Sequence, residues 1–193
     1  MPVSEKKKLR KSARTLRDSF NEEYINHASN LACELLSASE VFKLANTILI
    51  YYPIKNEISP LPLLEIAKAQ GKSIAFPLCN TENGTLLFKK VSKIDDLKQT
   101  FLGLIEPTVD LADAIITPNT ICIVPALLFS RKGHRLGYGK GYYDRFLKSF
   151  SGKSIGFSYS ALIYDDIPFE EHDVPLDIII SESEVLYIDQ NIT

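Results

Sequence analysis

The sequence predicts an α/β fold in which a largely parallel sheet carries helices on both faces. Three observations predict it. Short apolar runs alternate along the chain with amphipathic stretches of helical period. Several of those runs end or break at a proline, as strands do at sheet ends. A glycine-rich turn stands between a buried run and a helical stretch, the strand–turn–helix order of many anion sites.

The elements follow in order. Over about 4–19, Leu9, Ala13, Leu16 and Phe20 recur at helical spacing and make one helix face apolar. Lys6, Arg10 and Arg14 recur every four residues on an adjoining face. A second amphipathic stretch is expected over about 20–39, containing Tyr24, Ala28, Leu31, Leu35 and Leu36. Residues 47–52 form a strand ended by Pro53. Residues 61–70 form a short helix closed by Gly71. A strand over 72–76 stops at Pro77, and Asn83-Gly84 makes a hairpin turn. The stretch 92–120 reads as loop-rich, with Asp95 and Asp96 opening a short helix. The apolar run 121–129 is a buried strand broken at Pro125. Residues 143–150 have helical spacing, and strands follow at 154–159, 178–181 and 185–188. With no repeat, low-complexity tract or linker, the chain reads as one domain over 1–193.

Composition narrows the function classes. The chain has 193 residues, 45% hydrophobic and 24% charged, enough for one sizeable core. The net charge of −2 gives no general attraction for nucleic acid, and no apolar run is long enough to span a bilayer. Cys33, Cys79 and Cys122 are isolated and set in apolar surroundings, so they read as reduced core cysteines. No cysteine or histidine spacing suits zinc. The N-terminus lacks the apolar core of a secretory signal. Its basic, Ser/Thr-containing start has a transit-peptide flavour, but its pattern suits a helix of the fold, and a monomeric cytoplasmic protein is expected. Residues 1–17 carry seven cations and one anion, so the rest of the chain is acidic. A basic arm for nucleic acid would be opposed by that acidic remainder. A solvated basic face and a polyphosphate contact both remain open for this helix.

The most informative stretch runs from Arg135 to Arg145. Gly137, Gly139 and Gly141 alternate with Tyr138 and Lys140, and Tyr142, Tyr143 and Asp144 follow. Glycine allows positive φ and close backbone approach to a ligand. Cations, open N–H groups and a nearby carboxylate suit a phosphate chain with its magnesium. The common nucleotide signatures do not fit. A P-loop needs glycine where His134 stands and a hydroxyl where Gly141 stands, and a dinucleotide fingerprint needs glycine at Tyr142. A glycine-rich surface turn with solvated charges explains the density of basic and aromatic groups less well.

The string Arg135, Leu136, Gly137, Tyr138, Gly139, Lys140, Gly141, Tyr142, Tyr143, Asp144 closely resembles the signature of the 5-formyltetrahydrofolate cyclo-ligase family. Other landmarks of that family stand in the same order: Lys6 to Arg10, Tyr51 to Glu57, Gly71 to Pro77, Val124 to Phe129, and Glu171 to Asp177. The resemblance implies a three-layer α/β fold similar to sugar-phosphate isomerases and coenzyme A transferases. It implies ATP-dependent cyclisation of 5-formyltetrahydrofolate to 5,10-methenyltetrahydrofolate. It would place Lys140 and Arg135 as catalytic groups. Lys6, Lys7, Lys8, Leu9, Arg10 and the loop 135–143 would contact ATP. Tyr52, Glu57 and the loop residues Tyr138 to Tyr142 would contact the folate, and Asp144 and Asp173 would hold Mg2+.

The residues themselves leave alternatives open. Asp144 also suits a helix N-cap, Asp173 a loop cap, and Asp177 competes with Asp173 for the metal. His134 stands close enough in sequence to touch phosphate, whereas His27 and His172 read as structural or exposed. A sugar-phosphate isomerase or transferase would need a base near the loop, and no carboxylate–histidine pair is evident. A folate- or nucleotide-binding protein without turnover is the remaining alternative.

Overall fold

The computed structural model describes residues 3–100 and 103–189. The expected one-domain span of 1–193 therefore includes terminal residues outside the described ones. The N-terminal part is helical: α1 (Val3–Asp18), α2 (Glu22–Ala38) and α3 (Glu40–Leu44). Asn21 caps α2 by accepting from the Tyr24 N–H, and Ser39 caps α3 by accepting from the Phe42 N–H. The chain then enters β1 (Thr47–Leu49), α4 (Leu63–Ala69), β2 (Ser73–Asn80) and β3 (Thr85–Lys90). A ribbon of β4 (Leu97–Gln99) and β5 (Ile105–Pro107) follows. Next come β6 (Thr120–Val124), β7 (Leu128–Ser130), β8 (Arg135–Leu136) and α5 (Tyr142–Leu147). The chain closes through β9 (Lys153–Phe157), β10 (Ile163–Tyr164), β11 (Ile178–Ile180) and β12 (Val185–Tyr187).

A seven-stranded sheet runs in the order β12-β11-β9-β6-β1-β2-β3. Its interior pairs are parallel, and the edge pairs β2–β3 and β11–β12 are antiparallel. Alternate residues of the central strands point to opposite faces. Ile48, Ile121, Ile123 and Ile155 join one core cluster with Ala13, Ala28, Ala32, Phe42 and Ala67 from α1 to α4. Leu49, Cys122, Val124 and Ile179 join a second with Tyr142, Phe146 and Leu147 from α5. The three-layer α/β expectation is met, with helices on both faces. All three cysteines are free, and Cys33 and Cys122 are buried as their settings predicted, whereas Cys79 is only partly buried.

Three local expectations are corrected. The strand expected to stop at Pro77 continues to Asn80, with Pro77 opposite Phe88. β1 ends opposite Ala75, so beyond it the outer edge of β2 has no strand to serve and the missing N–H costs nothing there. The next N–H along, on Cys79, donates instead to the Glu106 carboxylate at 3.1 Å. The strand expected over 47–52 keeps only Thr47–Leu49; residues 50–52 continue as irregular chain toward the strand ends. In α1 the apolar face is rotated: Ala13 is fully buried, but Leu16 is 36% exposed and Arg17 is 2% exposed. Leu9, Ala13 and Arg17 are the i, i+4, i+8 row that faces inward.

Candidate active site

The parallel strands β1, β2 and β6 deliver their C-terminal ends to one cavity of about 980 Å³, at the upper end of the usual range for ligand pockets. Ligands of open α/β sheets gather at such ends. β1 leads to Tyr51 and Tyr52, β2 carries Pro77 and Cys79, and β6 runs into Pro125, all in the wall. The opposite wall is the glycine loop, reached through a tight β7–β8 hairpin that places Arg135 directly before it.

Arg135 to Asp144 all line the cavity. Gly139 has φ +93° and Gly141 has φ +68°, backbone that side chains rarely adopt, so the turn depends on glycine at both. Gly141 stands at the N-cap of α5, which is only six residues long. Any grip on an anion here must therefore come from side chains and loop N–H groups more than from a helix end. Arg145 braces the loop from outside, donating to the Lys140 carbonyl (2.8 Å) and the Gly84 carbonyl (2.7 Å). Lys140 is exposed at the loop crest. Arg135 is 9% exposed, pairs with the Asp144 carboxylate at 2.5 Å and donates to the Val174 carbonyl at 2.7 Å. Burial pulls its pKa down, and the fields of Asp144 and Asp173 oppose that.

The basic edge of α1 crosses the mouth of the cavity. Lys6 and Arg10 line it. Arg10 donates to the Gly137 carbonyl at 2.9 Å, and Lys6 meets Glu170 at 2.8 Å and Asp173 at 3.2 Å. Lys7 and Lys8 are exposed and do not line the cavity, and Leu9 packs against the core. Of the run from Lys6 to Arg10, only the two ends line the cavity, because a helix presents only every third or fourth residue to one side.

Asp144 and Asp173 enter the same cavity from distant parts of the chain. Asp173 also accepts from the Glu170 N–H at 2.8 Å, the loop-cap role read as its alternative. Burial raises its pKa, but that N–H and Lys6 outweigh it and leave the pKa lowered. Asp177 does not line the cavity; it accepts from the Ser154 N–H and hydroxyl and from Lys153. His134 stacks on Phe169 at 3.9 Å between ring centroids, and burial lowers its pKa. His27 and His172 are exposed.

At the other end stands Glu57, only 5% exposed. Its Oε2 accepts from the Ile54 N–H at 3.0 Å and its Oε1 from the Tyr138 hydroxyl at 2.7 Å. Arg17 donates to the same tyrosine oxygen at 2.6 Å and lies 3.6 Å from Glu57 Oε1. Burial pushes the Glu57 pKa up; the Ile54 N–H, Tyr138 and Arg17 work against it. Tyr138 is pushed up to about 12 by burial first and the Glu57 charge second, so it remains a donor. Tyr52 lines the wall beside this group.

Two features escaped sequence reading, Arg17 behind the cavity wall and Glu106 in it. Arg17 was counted as one more cation of a basic helix. Glu106, 7% exposed, comes from a stretch read only as loop-rich. The Tyr143 hydroxyl is buried with no hydrogen-bond partner among the described residues. Phase counting from Ala13 gives Arg17; Glu106 carries no local signal.

A glycine loop with buried and exposed cations and two carboxylates, in a cavity at the ends of parallel strands, is the arrangement of an α/β enzyme that handles a phosphorylated ligand. Residues 2–182 match the model of the 5-formyltetrahydrofolate cyclo-ligase family, and the chain belongs to that family. It is 28% identical over 147 residues to the 5-formyltetrahydrofolate cyclo-ligase of Escherichia coli (strain K12), covering 74% of this chain and 81% of that protein. A probable 5-formyltetrahydrofolate cyclo-ligase of Caenorhabditis elegans is 27% identical over 197 residues, with 95% and 96% covered. The NMR structure of Aquifex aeolicus 5,10-methenyltetrahydrofolate synthetase superposes with a TM-score of 0.82 at 28% identity, covering 96% of this chain and 93% of that one.

Proposed function

We propose that this cavity performs the family's reaction, ATP-dependent cyclisation of 5-formyltetrahydrofolate to 5,10-methenyltetrahydrofolate with release of ADP and phosphate. The observation that carries the reading is the meeting of the glycine loop, Glu57 and the basic edge of α1 in one cavity.

An N-formyl amide is a poor electrophile. Transfer of the γ-phosphoryl group of ATP to the formyl oxygen makes that oxygen a leaving group and the carbon iminium-like. N10 of the same folate attacks that carbon, and the C–O bond breaks with loss of phosphate. Phosphoryl transfer needs positioning and charge stabilisation more than a protein nucleophile. Lys140 and Arg135 offset charge on the moving group. Lys6 and Arg10 hold the rest of the polyphosphate. Glu57 accepts from the amino-pyrimidine end of the pterin, and Tyr52 flanks it.

Mg2+ fits the donor set. It takes one or two carboxylates with phosphate oxygens and waters. Asp144 and Asp173 both line the cavity, and each is already held by a cation of the same wall. These two residues would hold the ion, which when bound neutralises phosphate charge. The chain acts as a monomeric cytoplasmic domain with ATP and 5-formyltetrahydrofolate as its partners. Among the described residues no helix is long and apolar enough to cross a membrane.

The test is incubation of the purified protein with 5-formyltetrahydrofolate and Mg-ATP. Appearance of the methenyl chromophore, one ADP per product, is the expected result. Folate binding without product would leave only a binding protein.

A further inference from the structure

Among the described residues Arg17 is the largest fully buried side chain, and the reaction as assigned above does not use it. The core gives no reason for a cation there. Leu9 and Ala13, the two preceding residues of its row, pack against apolar groups. A leucine or methionine would continue that row without the desolvation a guanidinium must overcome. The side-chain groups that answer Arg17 instead belong to the cavity: the Tyr138 oxygen at 2.6 Å and Glu57 Oε1 at 3.6 Å. Its remaining hydrogen bond, to the Ala126 carbonyl, is long at 3.5 Å, and its Nε has no partner among the described residues.

We propose that Arg17 is a positioning residue of the active site, holding Glu57 directly and through Tyr138 as a fixed acceptor for the amino-pyrimidine end of the folate. The proposal rests on the cyclo-ligase reading of the cavity. Each carboxylate oxygen has two acceptor positions. The Ile54 N–H uses one on Oε2 and the Tyr138 hydroxyl one on Oε1, which leaves one on each oxygen for two neighbouring ligand N–H groups. A buried carboxylate keeps that capacity only while ionised. Besides Arg17, the titratable groups whose fields meet Glu57 are Tyr51, Tyr138, Tyr143 and Tyr159. All four tyrosines have raised pKa values and stay neutral, so Arg17 supplies the positive charge. Tyr138 carries the constraint into the glycine loop, and its ring lies under the Arg14 and Arg17 guanidinium groups at 5.5 and 5.9 Å.

The test compares Arg17→Leu, Arg17→Lys and Tyr138→Phe with the unsubstituted protein, in steady-state kinetics and in equilibrium titration with 5-formyltetrahydrofolate. Arg17→Leu should weaken folate binding by about tenfold or more while KM for ATP changes by less than about twofold. The acid limb of kcat/KM for the folate should move up by about one pH unit, because the carboxylate then protonates at higher pH. Arg17→Lys, which restores a cation, should recover part of both effects. A folded Arg17→Leu variant with unchanged folate affinity and acid limb would overturn the proposal, as would an equal rise in KM for ATP. If Arg17→Leu does not fold, Arg17→Lys decides: weakened folate binding at unchanged KM for ATP supports the assignment, and unchanged folate binding sinks it; Tyr138→Phe, which removes the bridging hydroxyl, should also weaken folate binding. Absence of any turnover by the unsubstituted protein would instead remove the cyclo-ligase reading itself.

Discussion

Two buried arginines serve the cavity, one in its wall and one behind it, and they are buried in different ways. Arg135 sits at one end with a carboxylate nine residues further along the chain, and both belong to one continuous signature. Arg17 sits at the other end, 121 residues from the tyrosine that accepts from it. The first pair is made by a local turn, so its sequence spacing announces it. The second exists only after the sheet has brought the N-terminal helix against the loop. The difference is also chemical. On the proposed reading, Arg135 and its neighbours would face the phosphate end, where charge moves during the reaction, and Arg17 would back the pterin end, where a fixed acceptor is needed.

The contrast is broken or sharpened most strongly by Lys140→Ala. Removing this exposed cation should lower turnover by on the order of 100-fold, about 3 kcal/mol of barrier, with folate affinity and thermal stability unchanged. Stopped-flow kinetics beside folate titration checks it, and equal loss of folate binding would merge the two ends into one. Asp144→Ala comes next, in stability. It strands a buried guanidinium, and urea unfolding should show a loss of about 3 kcal/mol. Gly141→Ala has a smaller expected cost. The residue has φ +68°, and a Cβ would stand 2.9 Å from the Arg145 side chain, so about 1–2 kcal/mol of strain should appear with reduced turnover.

The smallest effect belongs to Lys6→Gln. Its pair with Glu170 is open on the carboxylate side and screened by solvent, whereas its pair with Asp173 is partly buried, so a small loss of stability at neutral pH should come mainly from Asp173. The sign with pH is definite. Both carboxylates have lowered pKa values in the fold. Their contribution is present above the ordinary carboxylate range and is lost as pH falls through the depressed values. The Lys6→Gln difference should therefore vanish under acid conditions in thermal melts.

Much of this layout was legible because its causes are local. The Asn83-Gly84 turn, the break at Pro125 and the buried strand before the loop each follow from residues next to one another. Pro77 misled because a strand's tolerance of proline depends on which neighbour lies beyond it, and β1 had already ended. Leu16 and Arg17 misled because hydrophobicity alone chose the helix face, whereas a buried partner for the cation lay far away in sequence. Lys7 and Lys8 were included with Lys6 and Arg10 by contiguity, and helix geometry turned them outward. Glu106 left no trace, since its burial comes from the β4–β5 ribbon folding against β2.

The two-ended cavity is tested most directly by a crystal structure with a non-hydrolysable ATP analogue and 5-formyltetrahydrofolate bound together. The terminal phosphate should lie within hydrogen-bond reach of Lys140 and the formyl oxygen, with the pterin amino group on Glu57. Polyphosphate found outside the loop, or a pterin turned away from Glu57, would contradict the account.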